Sequence, residues 1–137
     1  MEINEATMGY FDIIWFAKDR DGNVLVGSSL ESDIPAFVKS SRERAEQAAM
    51  ELFGIHAVDR QRWPAFDIMK QVEEKRFYLY VANDAFESIY RRIYEPSGPA
   101  RFDELPDSIR ECLRENIVPF SASETETFTI SESIFFV

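Results

Sequence analysis

The stretch from Asp19 to Asn23 has the residue types, and nearly the spacing, of the start of a calcium-binding loop. An EF-hand loop carries oxygen ligands at its first, third and fifth positions, glycine at the sixth and glutamate at the twelfth. When Asp19 is taken as the first position, Asp21 and Asn23 fit, but valine stands at the sixth position and leucine at the twelfth. A hairpin turn accounts for the whole stretch, because Gly22 can supply a positive φ and the Asp and Asn side chains can bond nearby backbone groups. We therefore predict a turn and no metal site here.

The chain has one histidine and one cysteine, two residue types that are often used in catalysis and metal binding. His56 comes just after Gly54, where the C-terminal dipole of a helix would stabilise an imidazolium, and no triad companion can be identified for it. Cys112 falls on the apolar face of a predicted helix, and a buried thiol is inert. We predict no catalytic residue, no metal ligand and no cofactor.

The carboxylates of the chain are spread along it rather than gathered at one place. The 137 residues include 25 Asp and Glu against 15 Lys and Arg, which gives a net charge of −10. We interpret these carboxylates as a solvated surface, because with so many of them any single pair is expected by coincidence. Phosphate contact requires a surplus of basic residues, so nucleic acids and anionic membranes are disfavoured as partners, whereas a basic protein fits.

The sequence also predicts where the chain is found and how it is divided. Its N-terminus lacks a basic region followed by an apolar core, and no window reaches the length of a membrane span. A single cysteine allows no intramolecular disulfide and fits a reducing compartment. We expect a cytoplasmic protein with one domain over residues 1–137, in which residues 1–9 form a loose lead-in.

Local patterns in the first half of the chain predict a hairpin followed by a helix. Aromatic and β-branched residues predict a strand over Tyr10–Ala17, and the Asp-Gly turn joins it to a second strand, VLVGSS. The stretch SRERAEQAAMELFGI has apolar residues at helical spacing. Ser40 or Ser41 can cap this helix at its start, and Gly54 can end it.

The second half predicts two more helices and three more strands. The helices lie in FDIMKQVEEK and LPDSIRECLREN, and RFYLYVAND and FESIYRRIYEP form a second hairpin. The stretch ETFTISESIFFV alternates as one last strand, whose inner side carries Phe128, Ile130, Ile134 and Phe136. The element order is β-β-α-(α)-β-β-α-β. It predicts an α+β fold with a largely antiparallel sheet of about five strands and two or three helices packed on one face.

Aromatic residues on the second hairpin are candidates for an interaction surface. Aromatic side chains and arginine are favoured as anchors at protein interfaces. The candidate surface consists of Tyr78, Tyr80, Tyr90, Arg92 and Tyr94. The alternative is that these aromatic residues belong to the core or to a half-buried sheet, because strands attract tyrosine in any case.

Several of these pieces together resemble a widespread set of small bacterial proteins without assigned activity. In that set a Trp-Phe-Ala strand precedes a D-x-x-G-[NH] turn, a segment with proline follows, and an L-P-[DE]-x-I-R helix lies near the C-terminus. The matching residues here are Trp15-Phe16-Ala17, Asp19 with Gly22-Asn23, Pro35, and Leu105 to Arg110. The chain departs from the set after its second strand, where SSLES replaces a Gly-Gly-type turn. In size and acidity the set is similar to immunity proteins of bacterial toxin systems, so the resemblance implies a binding protein of that type and transfers no catalytic residue.

Three functional hypotheses follow from the sequence. The first is a non-enzymatic cytosolic protein of immunity type that binds and neutralises a basic partner protein. The second is a small-molecule-binding protein or minor enzyme with an aromatic pocket between the sheet and the helices. The third is a structural subunit that forms a homodimer through an aromatic sheet face.

Overall fold

The computed structural model describes residues 12–30, 32–59, 67–84, 88–131 and 134–137, and within them the chain forms seven strands and four α-helices. The strands are β1 (Asp12–Lys18), β2 (Val24–Ser28), β3 (Val58–Asp59), β4 (Tyr78–Asp84), β5 (Ile89–Tyr94), β6 (Thr127–Ser131) and β7 (Ile134–Phe136). The helices are α1 (Ala36–Lys39), α2 (Arg42–Phe53), α3 (Ile68–Lys75) and α4 (Asp107–Cys112), and a 3-10 turn covers Phe102–Glu104. The predicted lead-in over residues 1–9 lies outside the described residues, as do Tyr10 and Phe11 of the first predicted strand.

The strands form one mixed sheet in the order β3-β1-β2-β4-β5-β6-β7. Neighbouring strands are antiparallel, except that β2 and β4 are parallel and are joined by a long crossover that contains α1, α2, β3 and α3. The α+β class and the mostly antiparallel sheet are therefore confirmed. The predicted strand count and order differ from the structure, because the two-residue β3 and the separate β7 were not expected.

The hairpin of β1 and β2 and the start and end of α2 follow from local sequence signals. Lys18 pairs with Val24 across the turn, and Gly22 has a φ of 86°. The side chain of Ser41 accepts a hydrogen bond from the backbone N–H of Arg44 and so caps α2. Gly54 ends the helix in the left-handed conformation, with a φ of 68°. These features match the predicted turn and caps.

One face of the sheet is covered by helices. Ile14, Phe16 and Leu79 point to this side, together with the valines of β2 at positions 24 and 26. They pack against buried residues of three helices: Ala48, Ala49, Leu52 and Phe53 of α2, Val72 of α3, and Ile109 and Cys112 of α4. The predicted packing of helices on one face holds for α2, α3 and α4.

The opposite face is also buried, although most of its cover is not helical. Its largest buried side chains include Trp15, Tyr80, Tyr90 and Phe128. They pack against Ile34 and Val38 from one part of the chain and against Val118, Phe120 and Ala122 from another. Apart from Val38 of α1, these covering residues lie in irregular segments, so their burial could not be seen from a periodic pattern.

The predicted last strand is in fact a hairpin. β6 and β7 pair antiparallel, and Ile130 lies opposite Phe135. Phe128 and Ile130 are buried as expected, but the reversal of the chain between the strands changes which residues of β7 face the core. Phe135 packs on the core, whereas Ile134 and Phe136 are 57% and 54% exposed. The prediction that all four predicted inner residues share one buried side is therefore wrong for Ile134 and Phe136.

Candidate functional site

The five residues of the predicted interaction surface do not form one exposed face. Tyr78, Tyr80 and Tyr90 are buried in the core on the side of the sheet that irregular segments cover. Tyr94 packs against the core on the helix-covered side, and Arg92 is partly buried. The three buried tyrosines thus fit the alternative interpretation, in which they are core residues.

The buried tyrosines and Arg92 hold the irregular segments against the sheet. The hydroxyl of Tyr80 donates to the carbonyls of Ala122 and Thr125, at 3.2 and 2.5 Å. The guanidinium of Arg92 donates to the Ala122 carbonyl as well. The hydroxyl of Tyr90 donates to the Asp33 carbonyl at 2.6 Å. Burial raises the pKa of Tyr80 and of Tyr90, so both stay neutral donors.

Asp19, the first residue of the calcium-like motif, is a buried acceptor for backbone amides. One carboxylate oxygen accepts from the N–H groups of Asp21 and Asn23 at 2.9 and 2.8 Å, and the other accepts from the N–H of Ala122 at 2.8 Å. The residue is 1% exposed. Its carboxylate therefore ties the hairpin turn to the distant segment that contains Ala122. In the described part of the chain, no group of three His, Cys, Asp or Glu residues is placed to hold a metal ion.

The histidine contacts a carboxylate of the fold, and the cysteine contacts a backbone carbonyl. The ring of His56 is 77% exposed and its Nδ1 lies 3.2 Å from a carboxylate oxygen of Glu46. The same carboxylate accepts the backbone N–H groups of Ala57 and Val58, so Glu46 anchors the chain between α2 and β3. Cys112 is buried, its Sγ–H donates to the Arg44 carbonyl, and burial raises the pKa of the thiol. A thiol in that state is a poor nucleophile.

One small cavity lies where β1 meets the first two helices. It has a volume of about 10 Å³, and Trp15, Phe16, Ala45 and Ala48 line it. That volume is room for about one water molecule. This cavity is therefore too small for an organic ligand.

The outer strands present a sheet face that we call the open face. Cross-strand pairing sets its composition, because residues directly opposite each other in neighbouring strands share a face. Val81 pairs with Arg91 and Arg91 with Thr127; Ile89 pairs with Thr129 and Thr129 with Phe136; Ser131 pairs with Ile134. The open face consists of these eight residues.

The open face continues the helix-covered side of the sheet beyond the helices. Val81 of β4 and Tyr94 of β5 still pack against the core beneath the helices. Farther out, the more-than-half-exposed Ile134 and Phe136 lie beside the hydroxyls of Thr129 and Ser131. The outer edge of β7 pairs with no described strand. Exposed apolar groups beside a free strand edge are the features of a protein-docking surface.

No protein-family model, no curated protein and no solved structure matches this chain. None of the helices within the described ranges is long and apolar enough to cross a membrane. The open face was not predicted, because the alternating pattern places Ile134 and Phe136 on the inner side of a single strand. The signal for the reversal is the polar stretch SES, which separates the alternating run TFTI from the apolar run IFFV.

Proposed function

We propose that this protein is a non-enzymatic binding domain that docks a basic partner protein on the open face, in the manner of an immunity protein. The observation that carries the proposal is the exposure of Ile134 and Phe136 on a sheet face that the described helices leave uncovered. A partner that covers these two side chains would remove apolar surface from water. It could also add a strand along the outer edge of β7.

The net charge supports a basic partner. A chain with a charge of −10 attracts a cationic protein at long range and repels other acidic proteins. Within the open face the only charged residue is Arg91, so the contact itself is apolar and hydroxyl-bearing. Charge therefore speeds the encounter, while the apolar side chains supply most of the affinity.

The states of His56 and Cys112 support a non-enzymatic role. His56 is an exposed ring whose described partner, Glu46, already anchors a backbone turn. Cys112 is buried and its pKa is raised by that burial. Neither side chain is activated by its environment in the way that a catalytic acid, base or nucleophile requires.

Affinity capture from the native host tests the proposal, with the wild type and the double variant I134T/F136S as baits. We expect a basic protein to be retained by the wild type and to bind the double variant at least about tenfold more weakly, since two apolar anchors are lost. The association rate should fall as salt is added. The control is M50S, which removes an apolar side chain of α2 that is 48% exposed and lies outside the open face.

Three results would contradict the proposal. One is a partner that binds I134T/F136S as well as it binds the wild type. Another is a partner that M50S weakens by the same factor, which would indicate a general loss of apolar surface. The third is a captured protein that is a second copy of this chain, because the open face would then serve the homodimer hypothesis. Light scattering on the purified chain identifies that case.

A further inference from the structure

A groove lies at the end of the sheet where β2 and β4 begin, and it shares no residue with the open face. It has a volume of about 310 Å³. Its walls come from the C-terminal ends of α2 and α3, the start of β4, the segment 100–106 and α4. The apolar lining consists of Leu52, Phe77, Ala100, Leu105, Pro106 and Ile109. We call this feature the basic groove.

Backbone hydrogen bonds fix one wall of the basic groove. The N–H of Val24 donates to the carbonyl of Ala100 at 3.3 Å, and the N–H of Ala100 donates to the carbonyl of Arg76 at 2.9 Å. The N–H of Phe102 donates to the carbonyl of Gly22 at 2.8 Å. The segment around Ala100 is thus tied both to β2 and to the end of α3. A pre-formed wall of this kind lowers the entropy that a ligand must overcome when it binds.

Three cations line the basic groove: Lys75, Arg76 and Arg101. No carboxylate in the described chain lies within ion-pair distance of any of them, whereas arginines elsewhere, such as Arg114, pair with neighbouring carboxylates. The guanidinium of Arg76 donates to the Gly98 carbonyl, and that of Arg101 donates to the side-chain oxygen of Asn23. Because both acceptors are uncharged, neither contact neutralises the positive charge of the arginine.

The two carboxylates of the lining are already engaged by donors of the protein. Glu51 accepts from the hydroxyl of Ser108 at 3.0 Å, and Glu104 accepts from the backbone N–H of Arg101 at 2.9 Å. With three cations and two carboxylates, the lining carries a charge of +1 in a chain of −10. The basic groove is therefore a local site of attraction for an anion on a protein that repels anions overall.

The backbone conformation of Arg76 also indicates that its side chain has a role at the groove. Arg76 ends α3 in the left-handed conformation, with a φ of 62°. Glycine or asparagine is preferred at such a position, because other side chains are strained there. The chain keeps a long cationic side chain at this strained position, on the edge of the groove. Strain that persists in this way is concentrated at functional sites.

We propose that the basic groove binds a small amphipathic carboxylate, with its apolar body on the lining of Leu52, Phe77 and Leu105 and its carboxylate among the three cations. The volume is at the lower end of the range for small-molecule pockets, which suits a ligand with a short apolar chain or a single ring. A hydrophilic anion would leave the apolar lining exposed to water. A neutral or cationic analogue would leave the cations without a counter-charge. This site is separate from the open face and does not depend on the function proposed for it.

Titration of the ¹⁵N-labelled protein with three six-carbon probes tests the proposal: hexanoate, 1-hexanol and hexylammonium. We expect hexanoate to shift the amide resonances of residues 75–77 and 100–105 in a saturable manner, with a dissociation constant of about 1–10 mM for a ligand of this size. Hexanol should bind there at least about threefold more weakly, because it lacks the charge. Hexylammonium should give no saturable shift at these residues.

Variants of the cations show whether the groove itself binds the probe. K75Q should weaken hexanoate about threefold, and K75Q/R76G about tenfold, since exposed charges contribute modestly each. Glycine at position 76 also relieves the left-handed strain, so this variant keeps its fold. K70Q is the matched control, because Lys70 lies on the same helix outside the groove lining, and it should leave the affinity unchanged.

The proposal is overturned if hexanoate gives no saturable shift at the groove residues at about 20 mM, a concentration above the expected dissociation constant. It is also overturned if hexanol binds as tightly as hexanoate, or if K70Q weakens binding as much as K75Q. The ¹⁵N spectrum of each variant reports whether the fold is intact, so loss of binding and loss of structure are distinguished in the same experiment.

Discussion

At the scale of single residues, close packing fixes the centre of the first hairpin. Gly27 lies directly opposite Trp15 in the β1–β2 pair. A Cβ atom added to Gly27 would lie 2.1 Å from the indole ring of Trp15, which is too close for any contact. The indole cannot move aside, because Tyr90 and Phe128 pack against it edge-on. Glycine is required at position 27 because a tryptophan ring occupies the space of its side chain.

We therefore expect G27A to lower the free energy of unfolding by about 3 kcal/mol, the upper part of the range for overpacking a core. G98A is the matched control, since the nearest atom to a Cβ at Gly98 is 4.0 Å away, and it should change the stability by less than about 0.5 kcal/mol. Urea denaturation followed by tryptophan fluorescence measures both variants. Equal stabilities for the two would show that the indole does not fill this space.

Asp19 gives a second prediction at this scale. In D19N one carboxylate oxygen becomes an amide nitrogen, which cannot accept from a backbone N–H, so a buried donor loses its partner. We expect a loss of about 2–3 kcal/mol, because these hydrogen bonds are charge-assisted and buried. D21N changes an exposed carboxylate that accepts from the hydroxyl of Ser121, and it should cost less than about 1 kcal/mol. Chemical denaturation distinguishes the two; a D19N as stable as D21N would remove the role assigned to Asp19.

At the scale of elements, the reversal of the chain in the β6–β7 hairpin packs one of two neighbouring phenylalanines on the core and leaves the other exposed. Phe135 contacts Phe37, Phe120 and Phe128, whereas Phe136 is more than half exposed. Truncation of a packed phenylalanine removes apolar contacts, while truncation of an exposed one removes few. The two residues are adjacent in sequence, so they test the hairpin directly.

We expect F135A to lower the melting temperature clearly, through a loss of about 2–3 kcal/mol, below the value for a fully buried phenylalanine because Phe135 is only partly buried. F136A should change the free energy of unfolding by less than about 0.5 kcal/mol. Thermal unfolding followed by circular dichroism compares them. The opposite order of stabilities is what the single long strand of the sequence prediction would give, and it would refute the hairpin.

Sequence patterns predicted those elements whose signals are local. The Asp-Gly turn, the cap by Ser41 and the left-handed Gly54 each depend on a few neighbouring residues. The parallel pairing of β2 with β4 was missed, because it joins residues about fifty positions apart and no short pattern records it. The burial of the tyrosines on the second hairpin has a related cause. The segment that buries Tyr80 lies about forty residues further along the chain and has no period of its own.

At the scale of the whole molecule, buried tyrosines make the fold sensitive to alkali. Burial raises the pKa of Tyr80 and Tyr90 above the value of about 10 that tyrosine has in an unfolded chain. Below about pH 9 both states carry the phenolic protons, and the stability is unaffected. Above it the unfolded state releases protons that the folded state keeps, so stability is lost as the pH rises through and beyond 10.

The free energy of unfolding should therefore fall with a slope that increases from about 0.7 kcal/mol per pH unit for each of these two tyrosines at about pH 10 to nearly 1.4 kcal/mol per pH unit above about pH 11. Urea denaturation at a series of alkaline pH values measures the slope. In Y80F one of the two groups is removed, and the slope should fall by the contribution of one proton. A slope in Y80F equal to that of the wild type would mean that Tyr80 ionises equally easily in both states.

The strand edge of β1 has a consequence for how the protein is made. Beyond β3, this edge is closed by a late segment of the chain: the N–H of Lys18 donates to the carbonyl of Asn116, and the N–H of Val118 donates back to the carbonyl of Lys18. The side-chain amide of Asn116 donates to the carbonyl of Phe16, 100 positions earlier. During synthesis this edge of the first hairpin therefore stays unpaired until the ribosome has added these residues. A nascent chain in that state exposes a strand that can pair with other chains, and the hairpin is completed only when residues 100 positions further along have emerged.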